Sequence, residues 1–209
     1  MKLKNWQKRY KHEKQLIVQA SSTNGSDEWQ TFPIGMQYNF IYTPGQVIGD
    51  HSNLVMCAIV ADTDKRRRPT GVNRAQIIAN LNKNNIQNTL LPPDVYFRSL
   101  SSYKFVISPE GNGIDCHRHY EALIAGCIPI IERNPLIEEK YKGCPILFTT
   151  DYSEITEEYL SKKWDEMIDG EYDFSRLFLN YYSIPDQEKI KTCGNFWVKR
   201  MCNREWYFI

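Results

Sequence analysis

Short, continuous apolar runs recur along this sequence and constrain its fold more than any other feature. Four of them occupy residues 54–60, 104–107, 128–131 and 145–148. Runs of this length, rich in valine, isoleucine, leucine and phenylalanine, are typical of strands that are buried on both faces of a parallel sheet. The pattern therefore predicts four buried strands.

Segments with helical spacing separate the apolar runs. Residues 73–81 carry apolar side chains on one helical face, and Asn73 is a suitable N-cap. Further helices are predicted from about residue 117 to 125 and from Asp151 to about residue 168. Strands that alternate with helices predict an α/β, Rossmann-like parallel sheet with helices on both faces. Ligands of such sheets bind beyond the carboxyl ends of the strands, in the loops that follow them.

The predicted sheet divides the chain into two parts. Residues 1–50 show no self-contained pattern, and we interpret them as an irregular amino-terminal segment. Residues 51–209 form the predicted domain. This domain is expected to close with a terminal helix around residues 174–182 and an aromatic tail at 206–208 that docks on it.

Composition excludes several classes of protein. Hydrophobic residues make up 42% of the 209 positions, which is enough for a packed core. The 26 basic and 25 acidic residues leave a formal charge of +1, which argues against a dedicated nucleic-acid binder. The basic run at residues 2–14 is interpreted as a solvated tail rather than a membrane-binding surface. No apolar stretch approaches the roughly 20 residues of a membrane span, so the expected location is cytoplasmic, or lumenal for a fragment of a membrane-anchored protein.

Neither the cysteines nor the acidic triplet indicates a metal site. The six cysteines form no Cys-x-x-Cys pair, and several lie in apolar stretches as small hydrophobic residues. Asp62 and Asp64 form an Asp-x-Asp triplet, but three arginines follow at 66–68, which favours a charged, solvated loop over a metal site or a phosphate clamp. We therefore expect no bound metal.

The segment from Tyr103 to Leu123 carries the clearest chemical signal. A buried strand leads into a turn in which Gly111 and Gly113 permit positive φ, and a helix begins directly afterwards. The free amides and dipole of a helix N-terminus suit a phosphate group. Arg118 adds a cation that can bind a diphosphate, and Glu121, three residues later on the same face, can accept both hydroxyls of a ribose.

Each of these residues also has a simpler structural interpretation. Arg118 and Glu121 are spaced for a surface ion pair, although their place after a glycine turn favours ligand binding. Asp115 suits a helix N-cap as well as a sugar contact. His117 and His119 lack a third metal ligand at suitable spacing, so a contact at the helix start or a hydrogen bond to substrate is favoured over metal binding.

The same segment resembles a known family, the exostosin-type glycosyltransferases. The resemblance extends over roughly residues 54–165, and its motifs are Phe-Val-Ile-Ser-Pro at 105–109, Gly-Asn-Gly at 111–113, His-Arg at 117–118, Glu-Ala-Leu at 121–123 and Gly-Cys-Ile-Pro-Ile at 126–130. It implies the donor-binding, carboxyl-terminal half of a GT-B enzyme. It also implies metal-independent transfer of a sugar from a UDP- or GDP-type donor to a hydroxyl of a glycan or glycoprotein, without a further cofactor.

The resemblance also bears on individual residues. It implies that Arg118 and Glu121 contact the nucleotide sugar, and that Arg74 matches a basic residue near the diphosphate. Many relatives pair two glutamates at a closer interval than Glu110 and Glu121 have here. The predicted donor-binding residues are Arg74, Ser108, Glu110, Asn112, Gly113, Asp115, His117, Arg118 and Glu121.

An inverting transfer, the outcome we expect, needs a base for the acceptor hydroxyl. Asp50 and His51 precede the first strand and are candidates, against the simpler interpretation of a polar loop. Only residues 1–50 precede the sheet, where the family has a full acceptor-binding half, so they are interpreted as a remnant of it. Two alternatives follow: a non-catalytic nucleotide-sugar-binding module that relies on a partner chain for the acceptor site, and a nucleotide-binding regulatory domain.

Overall fold

A computed structural model gives the arrangement of residues 2–3, 16–18, 20, 28–37 and 50–202, with the backbone alone for 195–202. Most of the basic run at 2–14 and the aromatic tail at 206–208 lie outside these residues, so the interpretations of both stay predictions.

Four parallel strands form one sheet in the order β1-β2-β3-β4, which confirms the predicted α/β, Rossmann-like fold. The strands are β1 Asn53–Met56, β2 Tyr103–Ile107, β3 Ile128–Glu132 and β4 Leu147–Thr149. In register, Phe105 of β2 lies beside Val55 on one side and Ile128 on the other. The side chains at the centre of the sheet are fully buried, as expected for a parallel sheet that is covered on both faces.

Strand β1 ends earlier than the apolar run at 54–60 predicts. Beyond Met56, the backbone takes its hydrogen bonds from a loop instead of from β2. The amide side chain of Asn88 bonds both the N–H and the carbonyl of Ile59, and the N–H of Thr89 donates to the carbonyl of Cys57. These contacts hold residues 57–59 in place beside the loop that leads to the second helix.

Six helices accompany the sheet in the described part of the chain. The Asn73 side chain caps the first of them by accepting from the N–H of Gln76, as the sequence predicts. Asn134 caps the fourth, which the sequence analysis missed because six residues are too few to show a helical period. The helices are α1 Arg74–Lys83, α2 Pro93–Leu100, α3 His117–Ile124, α4 Pro135–Lys140, α5 Glu157–Met167 and α6 Ile184–Cys202.

The predicted terminal helix at 174–182 is wrong. That stretch forms two short 3-10 turns, Ser175–Leu177 and Leu179–Tyr181, and α6 begins only at Ile184. Phe178 between the turns has an extended backbone, with φ −115 and ψ 139. The carbonyl of Leu177 accepts a hydrogen bond from the hydroxyl of Tyr120 instead of a helical amide. Tertiary contacts therefore override the local helical pattern.

The described residues of the amino-terminal segment belong to the same hydrophobic core as the sheet. Ile17, Phe32 and Met36 are buried within it. The N–H of Ile17 donates to the Tyr120 hydroxyl, and the N–H of Met36 donates to the carbonyl of Ile17. In the part of the chain that the structure describes, no helix has both the length and the apolar character for a membrane crossing.

Candidate functional site

A cavity of about 770 Å³ opens beyond the carboxyl ends of β1 and β2, where ligands of such sheets bind. One wall is polar and comes from the loop after β2 and the start of α3, with Asn112, Gly113, His117 and Arg118. A second part of the lining, here called the apolar wall, consists of Val60, Leu90, Leu91, Pro93 and Phe97. Ile34 and Gln37 from the amino-terminal segment also line the cavity.

The polar wall contains the start of α3. Its N-cap is Cys116, whose backbone is extended and whose side chain makes no cap hydrogen bond to a described amide. The helix therefore presents its first turn without the side-chain acceptor that usually satisfies these amides. Asp115, which the sequence made a candidate for the cap, does not have that role.

The glycine turn does not use the positive φ that its glycines permit. Both Gly111 and Gly113 are described, and neither has a positive φ. The N–H of Gly111 instead donates to the carbonyl of Gly113, at 2.9 Å. A Cβ at position 111 would lie 2.9 Å from a guanidinium nitrogen of Arg74, so a larger residue there would displace that side chain. The turn is thus shaped by the close approach of an arginine.

Arg118 lies at the floor of the cavity. Its Nη2 donates to the carbonyl of Ala58 at 2.8 Å, and the guanidinium lies 5.5 Å from the ring centre of Tyr96. Within the described structure, Arg118 Nε and the Tyr96 hydroxyl are buried without a partner in good hydrogen-bond geometry, although Tyr96 lies close enough to Arg118 and Glu121 to interact with both. Burial lowers the pKa of Arg118, but Tyr96 and Glu121 more than offset this and leave it raised. The guanidinium therefore stays charged.

Glu121 lies close to Arg118 in the same cavity. The carboxylate is buried and accepts a hydrogen bond from the N–H of Gln37 at 3.0 Å. Burial raises the pKa of Glu121, against the opposing effects of His117 and of the Gln37 bond. Although both side chains are described, no ion pair joins Arg118 to Glu121. The alternative interpretation of these two residues as a surface ion pair is therefore wrong.

Asp115 is engaged by partners inside the protein. Its Oδ2 accepts from Lys140 Nζ at 2.9 Å and from the N–H of Ile34 at 3.0 Å, and its Oδ1 accepts from the Tyr141 hydroxyl at 2.8 Å. Both charged side chains of the Asp115–Lys140 pair are fully buried, and burial lowers the pKa of Lys140. Asp115 borders the cavity, but these bonds give it a structural role that joins three segments of the chain.

An arginine–carboxylate group, here called the edge network, lies in the loops after β1, β2 and β3. Arg67 bonds Glu110 at 2.5 Å, and Arg68 bonds Asp64 at 2.8 Å and Glu132 at 3.0 Å. Arg74 is buried and donates to the carbonyls of Pro109 and Glu110. The solvated loop predicted at 66–68 is therefore wrong for Arg68, whereas Arg66 and Arg67 are exposed. The edge network consists of Asp64, Arg67, Arg68, Arg74, Glu110 and Glu132.

The edge network gives no metal site. Asp64 is 1% exposed, and its Oδ2 accepts from both Arg68 and the N–H of Arg74. Among the described residues, no three His, Cys, Asp or Glu side chains come together as metal ligands would. The side chains of Glu110 and Arg74, both predicted to bind donor, are held by protein groups, and Arg74 alone of the two lines the cavity.

Ser108 and His119 form a buried pair behind the cavity. Ser108 Oγ lies 2.7 Å from His119 Nδ1, and His119 Nε2 lies 3.2 Å from the carbonyl of Ile114. A carbonyl only accepts, so Nε2 carries the hydrogen and the serine hydroxyl donates to Nδ1. Burial lowers the pKa of His119 to about 4. Both side chains are inaccessible, which gives Ser108 no direct contact with the cavity.

The structure separates Asp50 and His51 from the cavity. Asp50 is exposed and accepts a hydrogen bond from Ser52, which lowers its pKa. His51 is buried, with φ 51, and its Nε2 lies 3.0 Å from the carbonyl of Gly126, just before β3. Both residues lie at the amino ends of the strands, whereas the cavity lies at the carboxyl ends. Their position does not support the predicted role as a base.

The sequence analysis missed two residues of the cavity. Tyr96 comes from α2, and its signal was a tyrosine in a short amphipathic stretch that follows two prolines. Gln37 comes from the amino-terminal segment, and nothing in its local sequence indicates a contact with Glu121, 84 positions away. In comparisons with known proteins, no family model and no curated sequence matches the chain.

Proposed function

We propose that the chain binds a nucleoside-diphosphate sugar in this cavity and transfers the sugar to a hydroxyl acceptor. The observation that carries the proposal is that Arg118 and Glu121 line one cavity with the uncapped start of α3 and leave each other unpaired. A half-buried cation and a buried carboxylate that lie close together without pairing with each other are costly, unless a ligand satisfies them.

The polar wall suits the diphosphate. The first turn of α3 offers amide donors and the positive end of a helix dipole. Arg118 is held against the carbonyl of Ala58 and over Tyr96, so its guanidinium is oriented before a ligand arrives. Donors that are fixed in this way stabilise negative charge as it develops on a leaving diphosphate.

The rest of the cavity suits the nucleoside and the sugar. Glu121 is fixed by the N–H of Gln37 and keeps carboxylate lone pairs for ribose hydroxyls. The apolar wall, which includes the exposed Val60 and Leu90, offers a surface for a weakly hydrated base. Its volume of about 770 Å³ lies within the roughly 300–1,000 Å³ typical of small-molecule sites.

One observation favours a second function, a binding module that obtains its acceptor site from a partner chain. The carboxylates that line the cavity in the described structure are Asp115 and Glu121, and each is already engaged by protein donors. Neither is well placed to take a proton from an acceptor, and Asp50 and His51 lie at the opposite edge of the sheet. In this function the chain supplies the donor site, and a glycan acceptor binds elsewhere.

A thermal-shift panel tests donor binding. UDP- and GDP-sugars are compared with nucleosides and nucleoside diphosphates. A ligand at about 100 times its Kd stabilises the fold by about 2.7 kcal/mol. We expect Arg118→Ala to abolish the shift. Arg98→Ala, an exposed arginine of α2 that pairs with Asp94, is the matched control and keeps the shift. Unchanged binding by Arg118→Ala would remove the proposed diphosphate contact.

Donor hydrolysis then separates the functions. A competent transferase releases sugar to water slowly, whereas a binding module shows the thermal shift without release. A regulatory nucleotide-binding domain gives the same shift with a nucleoside diphosphate whether or not a sugar is attached. A wild-type chain with no shift for any member of the panel contradicts the proposal.

A further inference from the structure

Among the described residues, one hydrogen bond orients the imidazole of His117. His117 is the first residue of α3 and lines the cavity. Its Nδ1 lies 2.8 Å from the carbonyl oxygen of Gly35. A carbonyl oxygen can only accept, so Nδ1 carries the hydrogen and Nε2 keeps its lone pair. Nε2 forms no hydrogen bond with the described residues, which leaves a basic nitrogen available in the cavity.

The carbonyl of Gly35 is fixed in place. Gly35 has φ +75, and a Cβ there would lie 2.4 Å from the carbonyl oxygen of Ile17, so only glycine fits. The next residue, Met36, donates its N–H to that same Ile17 oxygen, and Gln37 donates to Glu121. The segment is thus held on both sides of the contact. Its carbonyl has the role that a carboxylate has in a catalytic triad, because it sets the tautomer and the direction of the imidazole.

The groups that face His117 also suit a base. Glu121 lies one turn further along α3, and its charge interacts with His117. Such a carboxylate stabilises an imidazolium once a proton has been taken. Arg118, the neighbouring cation, donates to the carbonyl of Ala58 and lies over Tyr96. The amino-terminal segment contributes neutral groups here, the Gly35 carbonyl and the Gln37 amide.

We infer that Nε2 of His117 is the general base for the acceptor hydroxyl, an inference that rests on the proposed function. The acceptor O–H bond breaks, and its proton passes to Nε2. The oxygen electron pair forms the new bond to the anomeric carbon of the donor sugar. The bond from that carbon to the diphosphate oxygen breaks, and its electron pair leaves with the diphosphate beside Arg118. The imidazolium then releases its proton to water.

The variant His117→Gln tests the inference, because a glutamine amide still donates to the carbonyl of Gly35. We expect donor affinity, measured by thermal shift, to change less than about twofold. Transfer or donor hydrolysis is expected to fall at least about 100-fold, the usual minimum for loss of a general base.

His51→Gln is the matched control, since the structure places His51 at the opposite edge of the sheet. Its turnover per folded molecule is expected to equal that of the wild type. A second measurement needs no turnover: nitrogen-15 shifts of the His117 ring in the resting protein. We expect a protonated Nδ1 and a bare Nε2, and the reverse tautomer overturns the inference.

The outcomes separate the two claims. A wild-type chain that binds no nucleotide sugar overturns the proposed function and the base with it. A chain that binds and turns over, with full turnover also in His117→Gln, overturns the base alone. A chain that binds donor but neither transfers nor hydrolyses it overturns the base and leaves the binding module standing.

Discussion

Two polar groups at the carboxyl edge of the sheet differ in how completely the hydrogen bonds of their arginines are satisfied. In the edge network, all three arginines bond carboxylates or carbonyls of the protein, and the one buried atom without a partner in the described structure is a carboxylate oxygen, Asp64 Oδ1. A second group of four residues lines the cavity, and its hydrogen bonds are satisfied less completely. We call it the cavity set. Within the described structure, Arg118 Nε and the Tyr96 hydroxyl have no partner, and His117 Nε2 forms no hydrogen bond. The cavity set consists of Tyr96, His117, Arg118 and Glu121.

The difference separates structural residues from candidate binding residues of the same type. Arg74 and Arg118 both lie in the cavity wall and both contact backbone carbonyls. Arg74 fixes the loop after β2, whereas Arg118 Nε has no partner in good hydrogen-bond geometry among the described residues. A buried donor without a partner costs roughly 1–3 kcal/mol, a cost that the proposed ligand would offset.

The largest expected effect is the loss of an edge-network arginine. Arg74→Met leaves the carbonyl of Pro109 without its arginine donor and the carbonyl of Glu110 with only the longer bond from Arg68, and we expect it to destabilise the fold by about 3 kcal/mol. Urea denaturation measures the loss. Arg118→Met is the matched variant and is expected to cost clearly less, because it removes one carbonyl contact and one unsatisfied donor. Equal losses of unfolding free energy in the two variants would show that Arg74 and Arg118 contribute equally to stability, which contradicts the comparison.

His119 of α3 is expected to make the stability of the fold depend on pH. His119 is buried and neutral, with its pKa lowered from 6.5 to about 4. Its unfolded form therefore binds a proton at a higher pH than the folded form, so stability is lost as pH falls below about 6.5. From pH 7 to pH 5 we expect a loss on the order of 2 kcal/mol from this residue. His119→Gln, measured by urea denaturation at both values, removes that part of the pH dependence. An unchanged pH dependence in His119→Gln would show that His119 is not buried as a neutral group.

Glu121→Gln tests the proposed contact between Glu121 and the ribose hydroxyls. The amide oxygen still accepts from the N–H of Gln37, so the wall keeps its shape. We expect donor affinity to fall about tenfold, or about 1.4 kcal/mol, because the charged acceptor for ribose hydroxyls is lost. The stability of the free protein is expected to hold or rise slightly, since burial disfavours the charged carboxylate. Calorimetric titration gives the affinity, and full affinity in the variant contradicts the ribose contact.

The smallest expected effect is a gain. Tyr96→Phe removes a buried hydroxyl that has no partner in the described structure, and we expect the free protein to be stabilised by up to about 1 kcal/mol. Tyr152→Phe is the matched control, because its hydroxyl lies within hydrogen-bond distance of Ile130 and Glu132, and it is expected to lower stability. Melting temperatures measure both. A lower melting temperature for Tyr96→Phe would show that the Tyr96 hydroxyl forms a stabilising hydrogen bond.

The sequence by itself determined the local features of this protein. Apolar runs marked the four parallel strands, and an asparagine before a periodic segment marked the start of α1. The spacing of Arg118 and Glu121 placed them near one another on one helix, and both line the cavity. These features depend on the backbone periods of helices and strands and on neighbours within a few residues, which is information that a sequence carries directly.

Only the tertiary structure decided which polar groups are still available to a ligand. Glu110 is engaged by Arg67, 43 positions away, and Asp115 by Lys140, 25 positions away. His51 lies at the amino edge of the sheet, whereas His117 is oriented by Gly35, 82 positions away. A hydrogen bond that fills a carboxylate or directs an imidazole depends on distance in space and not along the chain. Its effect on function therefore emerges only when distant segments pack together.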